Sequence, residues 1–235
     1  MDRITRKELK TDKFALEVGH GVEYVTEHKQ QVVRYGAIAA GVVVLALAIY
    51  AFISYRNGVR EDALRAAMQI QDATIGGQAE EGHPAFPTQD AKDTAAKKAL
   101  TDLANNYSGS EQGLIARYYL GTMAADKGDL PTAEKSLREV ADHAGKNYAS
   151  LAKLALASVL QAQGKSSEGE QVLRSLLASP TDFVSKDQAA ITLARYLSAT
   201  NPAEARKLLE PLRTERSAIS RAALTALSDL PPASK

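Results

Sequence analysis

The chain has 235 residues, with 29 Lys and Arg set against 28 Asp and Glu, and contains neither Cys nor Trp. Without Cys there is no disulfide framework, no thiol nucleophile and no cysteine-based metal site. Balanced charge without a basic stripe speaks against nucleic-acid binding.

Residues 1–34 read as a short tail of closely mixed charge. Thr5 and Glu8 have capping-box spacing ahead of Leu9, so a brief helix is expected to begin there. Past Gly19 and Gly21, Val22, Val25, Val32 and Val33 fall partly at helical spacing. That stretch suits an interfacial helix, and equally a solvated tail.

From Tyr35 to Tyr55 the sequence YGAIAAGVVVLALAIYAFISY runs for 21 residues without a charge, between Arg34 and Arg56. At about 1.5 Å per residue a helix of this length crosses a hydrocarbon core of about 30 Å. Backbone groups cannot go unpaired in lipid, so the span is expected to be helical. Tyr35 at one end, and Tyr50, Phe52 and Tyr55 toward the other, suit the two interfaces. The remaining chain is not apolar enough to enclose such a helix, and the run is longer than the roughly 7–15 residues of a signal-peptide core. Gly36 with Ala40, and Ala37 with Gly41, form small-xxx-small pairs that would let another membrane helix approach closely.

After Arg56 the helical pattern continues through Val59, Ala63, Ala66, Ala67 and Ile70, and ends at Gly76-Gly77. Gln78 to Gln89, with Gly82, Pro84 and Pro87, reads as a loop, so residues 56–89 form a membrane-proximal helix and loop. From Asp90 onward everything is helical in character. No run alternates with period two, so no strand is expected.

The strongest downstream signal is a 36-residue period. Ala133, Gly169 and Ala205 are spaced by it, as are Leu137, Leu173 and Leu209, and Val140, Leu176 and Leu212. Each set is one face of a helix whose small residue permits close packing. Partner helices carrying Leu120-Gly121, Leu156-Ala157 and Leu193-Ala194 lead into turns at Gly128-Asp129, Gly164-Lys165 and Asn201-Pro202. Asp129 and Asn201 are expected N-caps, with Pro131 and Pro202 in the first turns. Ser185 and Gln188 have capping-box spacing. A periodic helix–turn–helix is the unit of a solenoid. The expected fold is therefore all-α, a single transmembrane helix followed by an α-solenoid over residues 90–235.

These residues resemble tetratricopeptide repeats. Leu120, Gly121, Gly128, Asp129, Ala133 and Leu137 stand where that repeat's signature places such residues, in a unit of about 114–145. The second unit, about 150–181, keeps Leu156, Ala157, Gly164 and Leu173 but has Gly169 in place of the usual alanine. A third spans about 187–214. Ala96, Leu100 and Leu103 look like the second helix of an incomplete unit, and residues 215–229 like a capping helix. The layout of charged tail, span, exit helix and degenerate repeats is similar to the YfgM-type family, ancillary subunits of the bacterial SecYEG translocon with a periplasmic repeat domain. The resemblance implies a single-pass protein of the bacterial inner membrane. Its N-terminal tail would be cytoplasmic and its repeats periplasmic, with translocon subunits and exported or periplasmic polypeptides as partners. Charge alone does not orient the span. The whole tail carries seven Lys and Arg, yet near the span Lys29 and Arg34 face Arg56, Arg60 and Arg65.

By the same resemblance, the first helix of each unit lines a concave protein-binding face. That places Ile115, Tyr118 and Thr122 there from the first unit, Leu151, Leu154 and Ser158 from the second, and Gln188, Ile191 and Arg195 from the third. The same aliphatics equally suit packing between neighbouring helices. The basic-and-asparagine clamp of chaperone-tail-binding relatives is missing, and a mostly apolar groove suits a hydrophobic or unfolded segment.

No constellation for chemistry stands out. His20, His28, His83 and His143 lie apart, without partners at ligand spacing. Gly19-His20-Gly21 and Gly76-Gly77 lack the Lys and Ser or Thr of a phosphate-cradling loop, and no serine sits in a nucleophile elbow. Asn106-Tyr107-Ser108 reads as a turn. No cofactor, no metal, no small-molecule substrate and no enzymatic activity are expected. The two leading readings are a translocon-associated binder of exported chains and a scaffold that assembles another envelope complex.

Overall fold

A computed structural model describes residues 29–77, 84–214 and 218–231. The Thr5–Glu8 capping box, the stretch through Val22 and Val25, and His20, His28 and His83 lie outside the described residues.

The chain divides into two units, residues 1–58 and 59–235. The first helix, α1 (Lys29–Gln71), includes the whole uncharged run. From Lys29 to Val59 every residue whose side chain is described is exposed, including Val42, Leu45, Leu47 and Ile53. A soluble core helix would bury one face; here no face is buried over the described side chains of that run, and by length and composition the helix is long and apolar enough to cross a membrane.

In the second unit, the end of α1 packs through Ala63, Leu64, Ala67 and Met68 against Leu100, Leu103 and Ala116. Val59 and Ala66, expected on this stripe, are exposed instead. The packed face is set by the i, i+1, i+4, i+5 pattern of the four residues in contact. The expectation of no strand is corrected by a minimal element. β1 (Thr74–Ile75) pairs in parallel with β2 (Ala85–Phe86). Two residues per strand are too few to show an alternation, so sequence periodicity had nothing to detect.

Then come α2 (Gln89–Asn106), α3 (Glu111–Asp126), α4 (Leu130–His143), α5 (Lys146–Ala162), α6 (Ser166–Ala178), α7 (Lys186–Leu197), α8 (Pro202–Leu209), a 3-10 turn over Glu210–Thr214 and α9 (Ala218–Ser228). The helices pair as α3/α4, α5/α6 and α7/α8. The expected caps form: Asp129, Ser185 and Asn201 accept from the backbone N–H of Thr132, Gln188 and Glu204. Thr88 and Ser110 cap α2 and α3 in the same way. Gly128 and Gly164 take φ of +78° and +77°, the left-handed conformation that ends α3 and α5, and the next residue's N–H returns to Ala124 and Leu160.

The residues of the 36-residue period form the core. Ala133, Leu137, Val140, Leu173, Leu176, Ala205, Leu209 and Leu212 are all buried. One cluster joins α4 to α5; a second joins α5 and α6 to α7, α8 and α9. Each pair thus completes its core with the next, as expected of a stacked array.

Candidate protein-binding surface

The first helices α3, α5 and α7 carry the nine expected surface positions, and the structure separates them. Ile115 and Ile191 are buried. Tyr118, Thr122, Leu151 and Leu154 are half-buried, while Ser158, Gln188 and Arg195 are exposed. Thr122 donates to the Tyr119 carbonyl at 2.9 Å, which fixes its hydroxyl along its own helix. On the apolar run of α1, Gly36, Ala37, Ala40 and Gly41 are exposed, and a Cβ added at Gly36 or Gly41 would meet nothing within 4 Å.

A row of aromatic rings runs from α3 through α5 to the loop between α6 and α7. Tyr119 and Tyr118 meet edge to face at 5.3 Å between centroids, Tyr118 and Tyr148 at 5.8 Å, and Tyr148 and Phe183 at 5.7 Å. T-shaped pairs at such distances are favourable beyond their buried area. Burial raises the Tyr118 hydroxyl above its usual range, with a lesser contribution from Tyr119. Burial, then Tyr119, push Tyr148 up to about 12. Both phenols therefore stay neutral donors at physiological pH.

The row depends on the loop between α6 and α7. Ser150, buried on α5, lies 2.7 Å from Thr181 Oγ1, and Thr181 Oγ1 accepts from the Val184 N–H at 3.1 Å. Val184 is fully buried, and its neighbour Phe183 is left half exposed against Tyr148. Of the four rings, Tyr118 alone was expected at the surface. Tyr148, one turn before Leu151 on α5, shares its face and was missed, while Phe183 lies outside any helix, where helical register could not point to it.

A family model described as "Tetratricopeptide repeat-like domain" matches residues 32–207. The chain belongs to this family. No curated protein and no solved structure matches it. Tetratricopeptide repeat-like domains are protein-interaction modules, so membership implies protein partners.

The most evident departure of this tetratricopeptide repeat-like chain from the pattern, Gly169, has a structural cause. A Cβ there would lie 2.1 Å from Tyr196 Oη and 2.8 Å from Cζ. Tyr196 crosses from α7 and donates to the Ser166 carbonyl in the first turn of α6, at 3.1 Å. One repeat earlier, with Leu156-Ala157 standing 37 residues before Leu193-Ala194 and Ala133 standing 36 before Gly169, the corresponding pair is Ala133 and Val159. A larger partner on the neighbouring helix is matched by a smaller residue.

The second helices carry a charge ladder with the same period. Arg138 on α4 pairs with Glu134 at 2.7 Å and reaches Glu168 on α6 at 2.8 Å. Thirty-six residues on, Arg174 pairs with Glu170 at 2.8 Å and reaches Glu204 on α8 at 2.7 Å. Lys165 also binds Glu134 at 2.7 Å, and hydrogen bonds from Lys165 and then Arg138 hold that carboxyl down at about 2. At the outer helices the order of sign reverses, with Lys98 ahead of Asp102 on α2 and Arg206 ahead of Glu210 at the end of α8.

Proposed function

We propose that this protein holds a polypeptide-binding repeat array beside a bacterial inner membrane, next to the protein-export channel, and receives or passes on exported chains. The observation that carries the reading is the aromatic row of Tyr118, Tyr148 and Phe183, flanked by the half-buried Leu151 and Leu154. Neutral phenols beside aliphatic surface suit segments that are apolar and still carry unpaired backbone groups, as a chain in transit does. Thr122, Ser158, Gln188 and Arg195 form the polar rim of the same face, while the buried Ile115 and Ile191 support it from beneath. Resemblance to the YfgM-type family supports the translocon as the neighbour, the tail in the cytoplasm and the repeats in the periplasm. Gly36, Ala37, Ala40 and Gly41 would be the docking face for a membrane helix.

Photo-crosslinkers at Tyr118 and Leu154, followed by mild-detergent purification and mass spectrometry, test this reading. Translocon subunits together with several unrelated secreted chains are the expected partners. One fixed set of other membrane proteins, without clients, would favour the alternative of an envelope scaffold. Protease added to spheroplasts should remove the repeats; their protection until lysis would reverse the topology.

A further inference from the structure

We propose that a cavity between α2, α3 and α4 binds a short aliphatic carboxylate. It has a volume of ≈ 240 Å³ and opens to solvent. At about 30 Å³ per water this is roughly eight waters, room for a ligand of about eight non-hydrogen atoms. Its apolar lining comes from one side of α3, from Leu120, Met123 and Ala124; the hydroxyl residues Thr101, Thr132 and Ser136 face them, and two cations share the lining, Lys97 from α2 and Lys127 at the end of α3.

These two lysines differ from their neighbours. Lys98 is paired with Asp102 at 2.8 Å and Lys165 with Glu134 at 2.7 Å. Among the described residues neither Lys97 nor Lys127 has a carboxylate within 4.0 Å. One acid, Asp129, also lines the cavity, and one of its oxygens is engaged by the Thr132 N–H at the helix cap. Two unpaired cations against one partly occupied carboxylate leave a net positive rim over an apolar lining. An anion with a short hydrocarbon body satisfies both features. Both lysines are exposed and hydrated, so they set the sign of the ligand rather than demand one, while an inorganic anion would leave the apolar wall wet.

The site is separate from the aromatic row. Leu120 lies two positions after Tyr118 on α3, which turns it about 200° around the helix. It therefore stands or falls independently of the polypeptide-binding reading.

Hexanoate, with about eight non-hydrogen atoms, is the probe, and the full chain in nanodiscs of zwitterionic lipid is the sample. Lysine acylation is followed residue by residue by mass spectrometry. Hexanoate should slow modification of Lys97 and Lys127 several-fold, with half-effect at concentrations on the order of millimolar. Lys98 and Lys135 should be unchanged, and hexylammonium should protect neither. Lys97→Gln should raise the hexanoate concentration that protects Lys127 by about ten-fold, and Lys127→Gln the reverse, with helical circular dichroism unaltered. An N-acetylated Leu-Glu-Leu amide separates the two sources of such a group. Stronger protection by the peptide means that the carboxylate is presented by a polypeptide; protection by hexanoate alone means a free acid. Uniform protection of all lysines, equal protection by hexylammonium, indifference to both substitutions, or no protection by either probe overturns the proposal.

Discussion

Replacing Gly169 with alanine sets helix propensity against packing. In the interior of a helix such as α6, alanine is ordinarily favoured over glycine by about 1 kcal/mol. The new Cβ, however, would stand 2.1 Å from Tyr196 Oη and 3.1 Å from the Ala157 carbonyl oxygen. Tyr196 is buried and hydrogen-bonded to Ser166, so its ring cannot swing aside without leaving the core. Overpacking of this kind costs about 1–3 kcal/mol, and the lost hydrogen bond about 1 kcal/mol more. Set against the gain in propensity, Gly169→Ala should destabilise the array by about 1–3 kcal/mol. Tyr196→Val reproduces the arrangement one repeat earlier, where Val159 accompanies Ala133. In that background the alanine should be neutral or favourable, a coupling of at least about 1 kcal/mol in a double-mutant cycle. Urea unfolding in mild detergent, followed by far-ultraviolet circular dichroism, gives all four stabilities. A neutral Gly169→Ala, or strict additivity with Tyr196→Val, would refute the account of why glycine stands here.

Other substitutions probe the loop, the ladder and the span. Ser150→Ala leaves Thr181 without its partner on α5, costs about 1–2 kcal/mol and should speed proteolysis between residues 179 and 185; an unchanged cleavage rate would count against that anchor. The Glu134 carboxyl is held at about 2 against an ordinary value of 4.5. Its contribution is therefore complete above about pH 5 and lost as the pH falls toward 2. Glu134→Gln should flatten stability across that window and cost about 1–2 kcal/mol at neutral pH. Gly113→Ala would place a Cβ 2.2 Å from the Tyr107 carbonyl oxygen, so α3 should lose its first turn and the helical signal should fall. Val44→Arg, mid-way along the uncharged run, should impair insertion by about 2.5–3.5 kcal/mol, seen as increased extraction at alkaline pH.

Much of the fold was legible because it rests on local chemistry. Asp129, Asn201 and Ser185 announce helix starts by side-chain type, and Ala133, Leu137 and Val140 repeat at a spacing that only stacked helices explain. The face of α1 that packs was less so, because Val59 and Ala66 satisfy a helical stripe as well as Leu64 and Met68 do. Which stripe is buried depends on the neighbour that arrives. The aromatic row was hidden for a similar reason. Phe183 reaches Tyr148 only because Ser150 and Val184 fix a loop, and helical spacing assigns no face to a residue in a loop. The Glu134–Arg138 and Glu170–Arg174 pairs were present in the sequence at the same period as the leucines, but acquire meaning only when Glu168 and Glu204 are seen on the next second helix.

That ladder also bears on how such an array can change length in evolution. A duplicate of the α5/α6 unit placed after the original would offer its own Glu168 to the preceding Arg174 and its own Arg174 to Glu204, so every junction would match without further mutation. Extension past α8 meets the opposite situation. Glu210 occupies the place of the arginine, and an added unit would set its glutamate against it, a like-charge contact. The ladder thus favours insertion in the middle of the array over growth past α8, a polarity written in two reversed side chains.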